Sequence, residues 1–235
     1  MKNNSGRYNF SVIIPVLHET NKINSLIEHL HALEGGRNSE VIIVDGSPTK
    51  DTINAINDEK IISISSEKGR AKQMNAGASI AQGEILIFLH ADTKLPEDAF
   101  QKIRRVLEEG RYVGGAFYLR IDSDRVIFKL ISHITSFLSR LTRIPYGDQT
   151  IFIKKDYFNR IGRYGDIPVM EDAELMRKIK RERKKICIIR DNVKTSPRRW
   201  EEKGVFYTIL INQMIRILYF LGVSPDKLTK FFYRR

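Results

Sequence analysis

The sequence predicts an α/β fold built on an open, Rossmann-like sheet, and three observations predict it. Short apolar runs rich in Val and Ile alternate with segments of helical spacing through the first 120 residues. The runs are apolar on both faces, as in a parallel sheet covered by helices on each side. Polar residues gather just past the ends of these runs, where open parallel sheets bind their ligands.

Taken in order, "FSVIIPVL" (residues 10–17), "EVIIVDGS" (40–47), "KIISIS" (60–65) and "EILIFLHAD" (84–92) are predicted strands, each short and β-branched. Ile23, Leu26, Ile27, Leu30 and Leu33 recur at helical spacing in one connection, and Ala71, Met74, Ala78 and Ile80 in another. A further helix is expected to begin near Pro96. The order then loosens. "GGAFYLRI" (114–121) predicts a strand, residues 124–144 a helix, "QTIFIKK" (149–155) a strand, residues 170–185 a charged helix and "ICIIR" (186–190) a strand. From residue 201 the chain reads as helical, with a break at 222–225. There is no internal repeat, and residues 1–235 are expected to form one domain with halves at 1–120 and 121–235.

Composition narrows the function classes. Cys187 is the only cysteine, which excludes an internal disulfide and a cysteine-based zinc site, and it sits in an apolar run that reads as core. The N-terminal segment has no apolar stretch of signal-peptide length, so a cytoplasmic protein is expected. The longest apolar segment, residues 204–223, carries Asn212, Gln213 and Arg216 in its middle, which a membrane-spanning helix would place in hydrocarbon. It reads instead as a helix that is buried or lies on a surface. Net charge is +12, and the halves differ: residues 1–120 hold 15 Lys/Arg and 15 Asp/Glu, residues 121–235 hold 25 and 13. An anionic partner is therefore expected at the second half.

Three strand ends supply the candidate site. Pro15, His18 and Glu19 follow the first run, Asp45, Gly46, Ser47 and Asp51 the second, and His90 and Asp92 the fourth. Ser47 and Asp51 fit a helix cap as well as a site, and Asp92 stands early for a cap. After the third run, Gly69 permits a tight entry into a helix whose first turn carries Lys68, Arg70 and Lys72, which suits an anion without forming a recognised phosphate-binding sequence. Glu171 and Asp172 open the charged helix, where they complement its dipole or act as a paired base. Arg198 and Arg199 immediately precede the only tryptophan, Trp200, and their planar forks suit a diphosphate or simply meet solvent.

In this order, "SVIIPVLHE", "VIIVDGSPTKDT", "KGRAKQMNAGASIAQGEILIFLHADT", "YGDQTIFIKK", "MEDAELMRKI" and "SPRRW" resemble the family-2 glycosyltransferases of the GT-A fold. The short, stand-alone bacterial members are the most similar group, and the match runs over nearly the whole chain. The resemblance implies a nucleotide-binding mixed sheet flanked by helices, with acceptor-side helices at the C-terminus. It implies that Pro15, Glu19 and Ser47 belong to the nucleotide pocket, that Asp45 contacts the uracil or ribose, and that Arg70 faces the nucleotide. It further implies that Asp92 coordinates Mg²⁺ or Mn²⁺ on the diphosphate of a sugar donor, UDP-linked by default. Asp172 then resembles the base that deprotonates the acceptor, with Glu171 beside it, and transfer inverts the anomeric carbon. Arg198, Arg199 and Trp200 resemble the Q-x-x-R-W element of processive relatives.

This chain departs from that pattern twice. His90 stands where the first acid of a D-x-D is usual, which leaves one carboxylate and an imidazole for the metal, and Ser196 replaces the glutamine, which points to single transfer. The acceptor is not fixed by any motif. Residues 126–143 place Ile127, Leu130, Ile131, Ile134, Phe137, Leu138 and Leu141 at helical spacing among basic residues. That helix either covers the core or rests, with the C-terminal helices and "KFFYRR", on an anionic bilayer where a lipid-linked acceptor is within reach. Two rival readings are a nucleotidyltransferase, which would release pyrophosphate, and a non-catalytic nucleic-acid-binding protein. The second lacks a recognised binding module, so no nucleic-acid partner is expected.

Overall fold

The computed structural model describes residues 9–232. The first half alternates as the periodicity requires: β1 (Phe10–Val16), α1 (Ile23–Ala32), β2 (Glu40–Asp45), α2 (Asp51–Asn54), β3 (Ile62–Ser65), α3 (Arg70–Ile80), β4 (Ile85–Phe88), β5 (Thr93–Lys94) and α4 (Ala99–Glu108). The second half continues with β6 (Gly114–Ile121), α5 (Val126–Thr142), β7 (Ile151–Lys154), α6 (Lys155–Arg160), α7 (Glu171–Arg181), β8 (Ile186–Thr195), α8 (Arg198–Lys203), α9 (Val205–Phe220) and α10 (Pro225–Phe232).

All eight strands join one sheet in the order β3-β2-β1-β4-β7-β6-β8-β5. The four strands β1 to β4 are parallel, β7 runs antiparallel to β4 and β6, and β8 runs parallel to β6. The alternation of side chains along β1 explains why so short a strand is apolar throughout. Val12, Ile14 and Val16 pack on one side with Leu26 and Leu30 of α1 and Phe100 and Ile103 of α4. Ile13 points to the other side, with Met74 of α3, Phe158 of α6 and Met176 of α7.

The strand order reverses between β1 and β4, and there the sheet opens. β4 pairs with β1 only as far as Ile13↔Phe88. Pro15, which has no N–H to offer, sits two residues further along the same edge of β1, past the point where β4 could use one. Gln73 of α3 clips the neighbouring ends together, its Nε2 donating to the carbonyls of Val16 and Val44 at 2.8 Å each.

Two elements differ from expectation. The helix expected near Pro96 begins at Ala99 instead, after a turn in which Ala99 N–H donates to Pro96 O. The strand read as residues 186–190 runs on to Thr195, because β8 pairs with β6 along its length and shifts register past Phe117. Its last residues, paired with Thr93 and Lys94, draw the segment after β8 against the end of β4.

Helix α5 is turned inside out. It buries Phe128, Ser132, Ser136 and Ser139, while Leu130, Ile134, Phe137, Leu138 and Leu141 are exposed. The cause is the far half of β6, which β7 does not reach. Its backbone groups are satisfied by side chains: Leu119 N–H donates to Ser136 Oγ and Ile121 N–H to Ser132 Oγ, both at 2.9 Å, and Gln149 Nε2 donates to Phe117 O. A helix that completes a strand edge with serines has to show its leucines elsewhere. Ser136→Ala leaves the buried Leu119 N–H unpaired and should cost about 1–3 kcal/mol, measured by urea unfolding.

Candidate active site

The open end of the sheet leads into a cleft of about 500 Å³. His90 and Asp92 enter it from the end of β4, Arg70 from the start of α3, Glu171 and Asp172 from the start of α7, and Arg199 and Trp200 from α8. Seven of the sequence-derived candidates therefore meet at one place. The contact that unites the distant motifs is short: Ser196 N–H donates to Asp92 O at 3.1 Å, continuing the β5–β8 pairing.

Asp172 is almost fully buried. Its Oδ2 accepts the Gly147 N–H at 2.7 Å, and its Oδ1 has no hydrogen-bond partner among the described residues. Burial raises its pKa well above the ordinary carboxylate value and the negative charge of Glu171 adds to the rise, while Arg70 opposes it. Glu171 is also buried and lies 3.6 Å from Arg70 Nη1, so Arg70 is held between the acidic pair and the cleft. His90 is pushed down to about 4, first by burial and then by Arg70, so its imidazole is neutral at pH 7.

The remaining candidates stand around the cleft without lining it. Glu19 Oε1 binds Arg198 Nη2 at 2.6 Å and so ties the loop after β1 to α8. Asp45 is closed to solvent, its Oδ1 accepting from Ser47 N–H and its Oδ2 from Ile53 N–H. In this structure it shapes the loop that follows β2, and Ser47 is buried in the same loop against Thr49. Neither Ser47 nor Asp51 is the N-cap of α2: that residue is Lys50, which makes no side-chain cap, and the first-turn N–H of Ile53 goes to Asp45 instead.

Among the cleft residues that received no role from sequence reasoning are Tyr146, Gly147, Asp148 and Arg216. Three belong to "YGDQ", a motif visible in the resemblance but carrying no obvious chemistry there. Asp148 has an unpartnered buried Oδ1 among the described residues, and burial raises its pKa despite Arg216, Arg70 and Arg199 nearby. Arg216 of α9 lies over the Tyr146 ring at 4.0 Å. A β-carbon on Gly147 would stand 2.5 Å from His90 Nε2 and 3.0 Å from Asp172 Oδ2, so only glycine lets these two side chains approach. Gly147→Ala should displace both and lower kcat about 10²-fold, with steady-state kinetics on the folded variant as the check.

A family model described as glycosyl transferase family 2 matches residues 11–167. The chain belongs to that family. The matched span holds the strand ends, Arg70, His90, Asp92 and Asp148, and stops short of Asp172 and the SPRRW segment. Curated relatives of this family-2 chain include the PGL/p-HBAD biosynthesis glycosyltransferases of Mycobacterium bovis and Mycobacterium tuberculosis, 28% identical over 180 residues. That alignment covers 66% of this chain and 62% of the relatives, so the chain spans less than two thirds of their length.

Among solved structures, residues 1–349 of TarS from S. aureus align with a TM-score of 0.61 at 19% identity, covering 86% of this chain and 65% of that one. A mannosyltransferase from Pyrobaculum calidifontis, solved with GDP-Man and Mn²⁺, aligns with a TM-score of 0.63 at 20% identity, covering 80% and 56%. TarS has also been solved with UDP-GlcNAc, and that structure aligns with a TM-score of 0.60 at 19% identity, covering 80% and 58%. These are GT-A glycosyltransferases, and the mixed sheet of this family-2 chain has the same fold.

Proposed function

We propose that the chain transfers one sugar from a nucleoside-diphosphate sugar to an acceptor hydroxyl, with inversion at the anomeric carbon. The observation that carries this reading is the half-free carboxylate of Asp172, held by Gly147 in the same cleft as Asp92, His90 and Arg70. Asp172 takes the proton of the acceptor hydroxyl, whose oxygen forms a bond to the anomeric carbon. The bond from that carbon to the diphosphate oxygen breaks, and its electron pair leaves with the nucleoside diphosphate. Arg70 and Arg199 line the same cleft and supply the cationic groups that stabilise such developing charge. The 1–120 half binds the donor and the 121–235 half the acceptor, as one catalytic unit. Single rather than processive transfer follows from Ser196 in place of the glutamine.

The residues present fit a divalent cation shared with the donor. No group of three or more His, Cys, Asp or Glu among the described residues could hold a metal by itself. Asp92 and the neutral imidazole of His90 would offer two ligands in the cleft that also holds the orphaned Asp148 Oδ1, a donor set that suits Mn²⁺ or Mg²⁺. When bound, such a cation neutralises charge on the diphosphate. The Mn²⁺ and GDP-Man of one structural neighbour and the UDP-GlcNAc of another support a nucleotide-sugar donor. UDP remains the favoured base.

The acceptor is read as lipid-linked, reached by a cytoplasmic enzyme at the inner face of the membrane; among the described residues no helix is long and apolar enough to cross one. The test is calorimetric titration of UDP and GDP with and without Mn²⁺, followed by product analysis with the matching sugar donors. Metal-dependent binding and release of nucleoside diphosphate support the reading. Release of pyrophosphate, or binding of random DNA with no nucleotide bound, would replace it.

A further inference from the structure

We infer that α5, α9 and α10 form a docking face for an anionic lipid bilayer. The inference deepens the lipid-linked acceptor reading and rests on it for its purpose, though not for its geometry. Apart from Ile80, every exposed large apolar side chain among the described residues lies on α5, on α9 or the residue that closes it, or on α10. Phe137 of α5 is 58% exposed, Leu141 71%, and Phe206 of α9 80%. Exposure on this scale, confined to one set of helices, marks an interaction surface.

Contacts join the ends of these helices. Phe128, near the start of α5, packs edge-on against Trp200, just before α9 begins. Tyr146, just past the end of α5, lies beneath Arg216 of α9, and α10 packs on α9 through Leu228. Helix α9 also has two working faces. Thr208, Asn212 and Ile215 line the catalytic cleft, while Phe206, Leu210, Met214 and Ile217 face outward. The outward face of α9 therefore lies one helix diameter from the cleft.

Charge selects the occupant. Neither α5 nor α9 contains an Asp or Glu, and α10 contains only Asp226. The same helices carry Lys129, Arg140, Lys227 and Lys230, all exposed. A second copy docking through a two-fold axis would set this patch against itself, with cations facing cations and almost no acids to pair them. An anionic bilayer takes both the apolar side chains and the flanking Lys and Arg. Residues 233–235, which close the basic "KFFYRR" segment, lie outside the described residues.

The experiment floats the full chain with vesicles of phosphatidylcholine and phosphatidylglycerol at roughly 3:1, and with phosphatidylcholine alone. The expected result is flotation with the anionic vesicles at low salt, reduced about tenfold with neutral vesicles or in about 0.5 M salt. Phe137→Ser combined with Phe206→Ser should cut the bound fraction about tenfold while melting as the wild type does, since both side chains are exposed. A wild type that stays unbound overturns the inference, as does a concentration-dependent dimer in sedimentation that these substitutions dissolve. UDP and GDP titrations run beside it separate the two readings. Flotation with no nucleotide bound supports the surface and removes the donor reading, whereas nucleotide binding without flotation does the reverse.

Discussion

Asp172→Asn should lower the turnover of sugar transfer about 10³-fold while donor affinity stays near wild type. The substitution keeps the geometry: an amide oxygen can still accept the Gly147 N–H, and the amide nitrogen falls where Oδ1 has no partner. What is lost is the ability to take a proton. The same change should raise stability at neutral pH. Burial and Glu171 lift the folded-state pKa of Asp172 above its unfolded value. Its contribution to stability is therefore complete below the unfolded pKa and is lost as pH rises through the folded one. At pH 7 the asparagine protein should melt at or above the wild-type temperature, and the difference should vanish near pH 3, where both side chains are neutral. The acid limb of the wild-type pH–rate profile should likewise lie above the ordinary carboxylate range. Kinetics and melting curves on one preparation check both halves, and full activity in Asp172→Asn would remove Asp172 from the reaction.

The parallel half of the sheet was legible because it obeys simple rules. Strands buried on both faces read as continuous Val and Ile runs, and the acids past their ends pointed to the cleft that His90 and Asp92 enter. Strand β5 was not legible, since two residues carry no period, yet it brings Ser196 to Asp92. The orientation of α5 was open for a similar reason. A leucine stripe at helical spacing fits a core face or a free one, and the deciding information was that Ser132 and Ser136 complete the edge of β6. Asp45 is a different case. Its place at a strand end suggested ligand contact, whereas both its oxygens hold the loop that follows. Gly147 and Asp148 join the cleft through proximity to residues far away in sequence, and no local pattern reports that.

Asp92→Ala should abolish the gain in UDP or GDP affinity that Mn²⁺ confers, a loss of about 10²-fold or more. The position is rigid: the Asp92 carbonyl is pinned by Ser196, and its side chain accepts from Thr93 Oγ1 at 3.3 Å. Alanine should therefore leave the melting temperature within a degree or two of wild type, which separates a binding loss from a folding loss. His90→Asn should weaken the metal effect less, because the carboxylate supplies the charge and the imidazole only a neutral lone pair. Asp148→Asn is the informative comparison. Its Oδ1 is buried without a hydrogen-bond partner among the described residues, and the negative charge of Asp92 adds to the rise that burial gives its pKa. If Mn²⁺-dependent affinity survives in Asp92→Ala and disappears in Asp148→Asn, the cation belongs to the YGDQ turn and not to the end of β4.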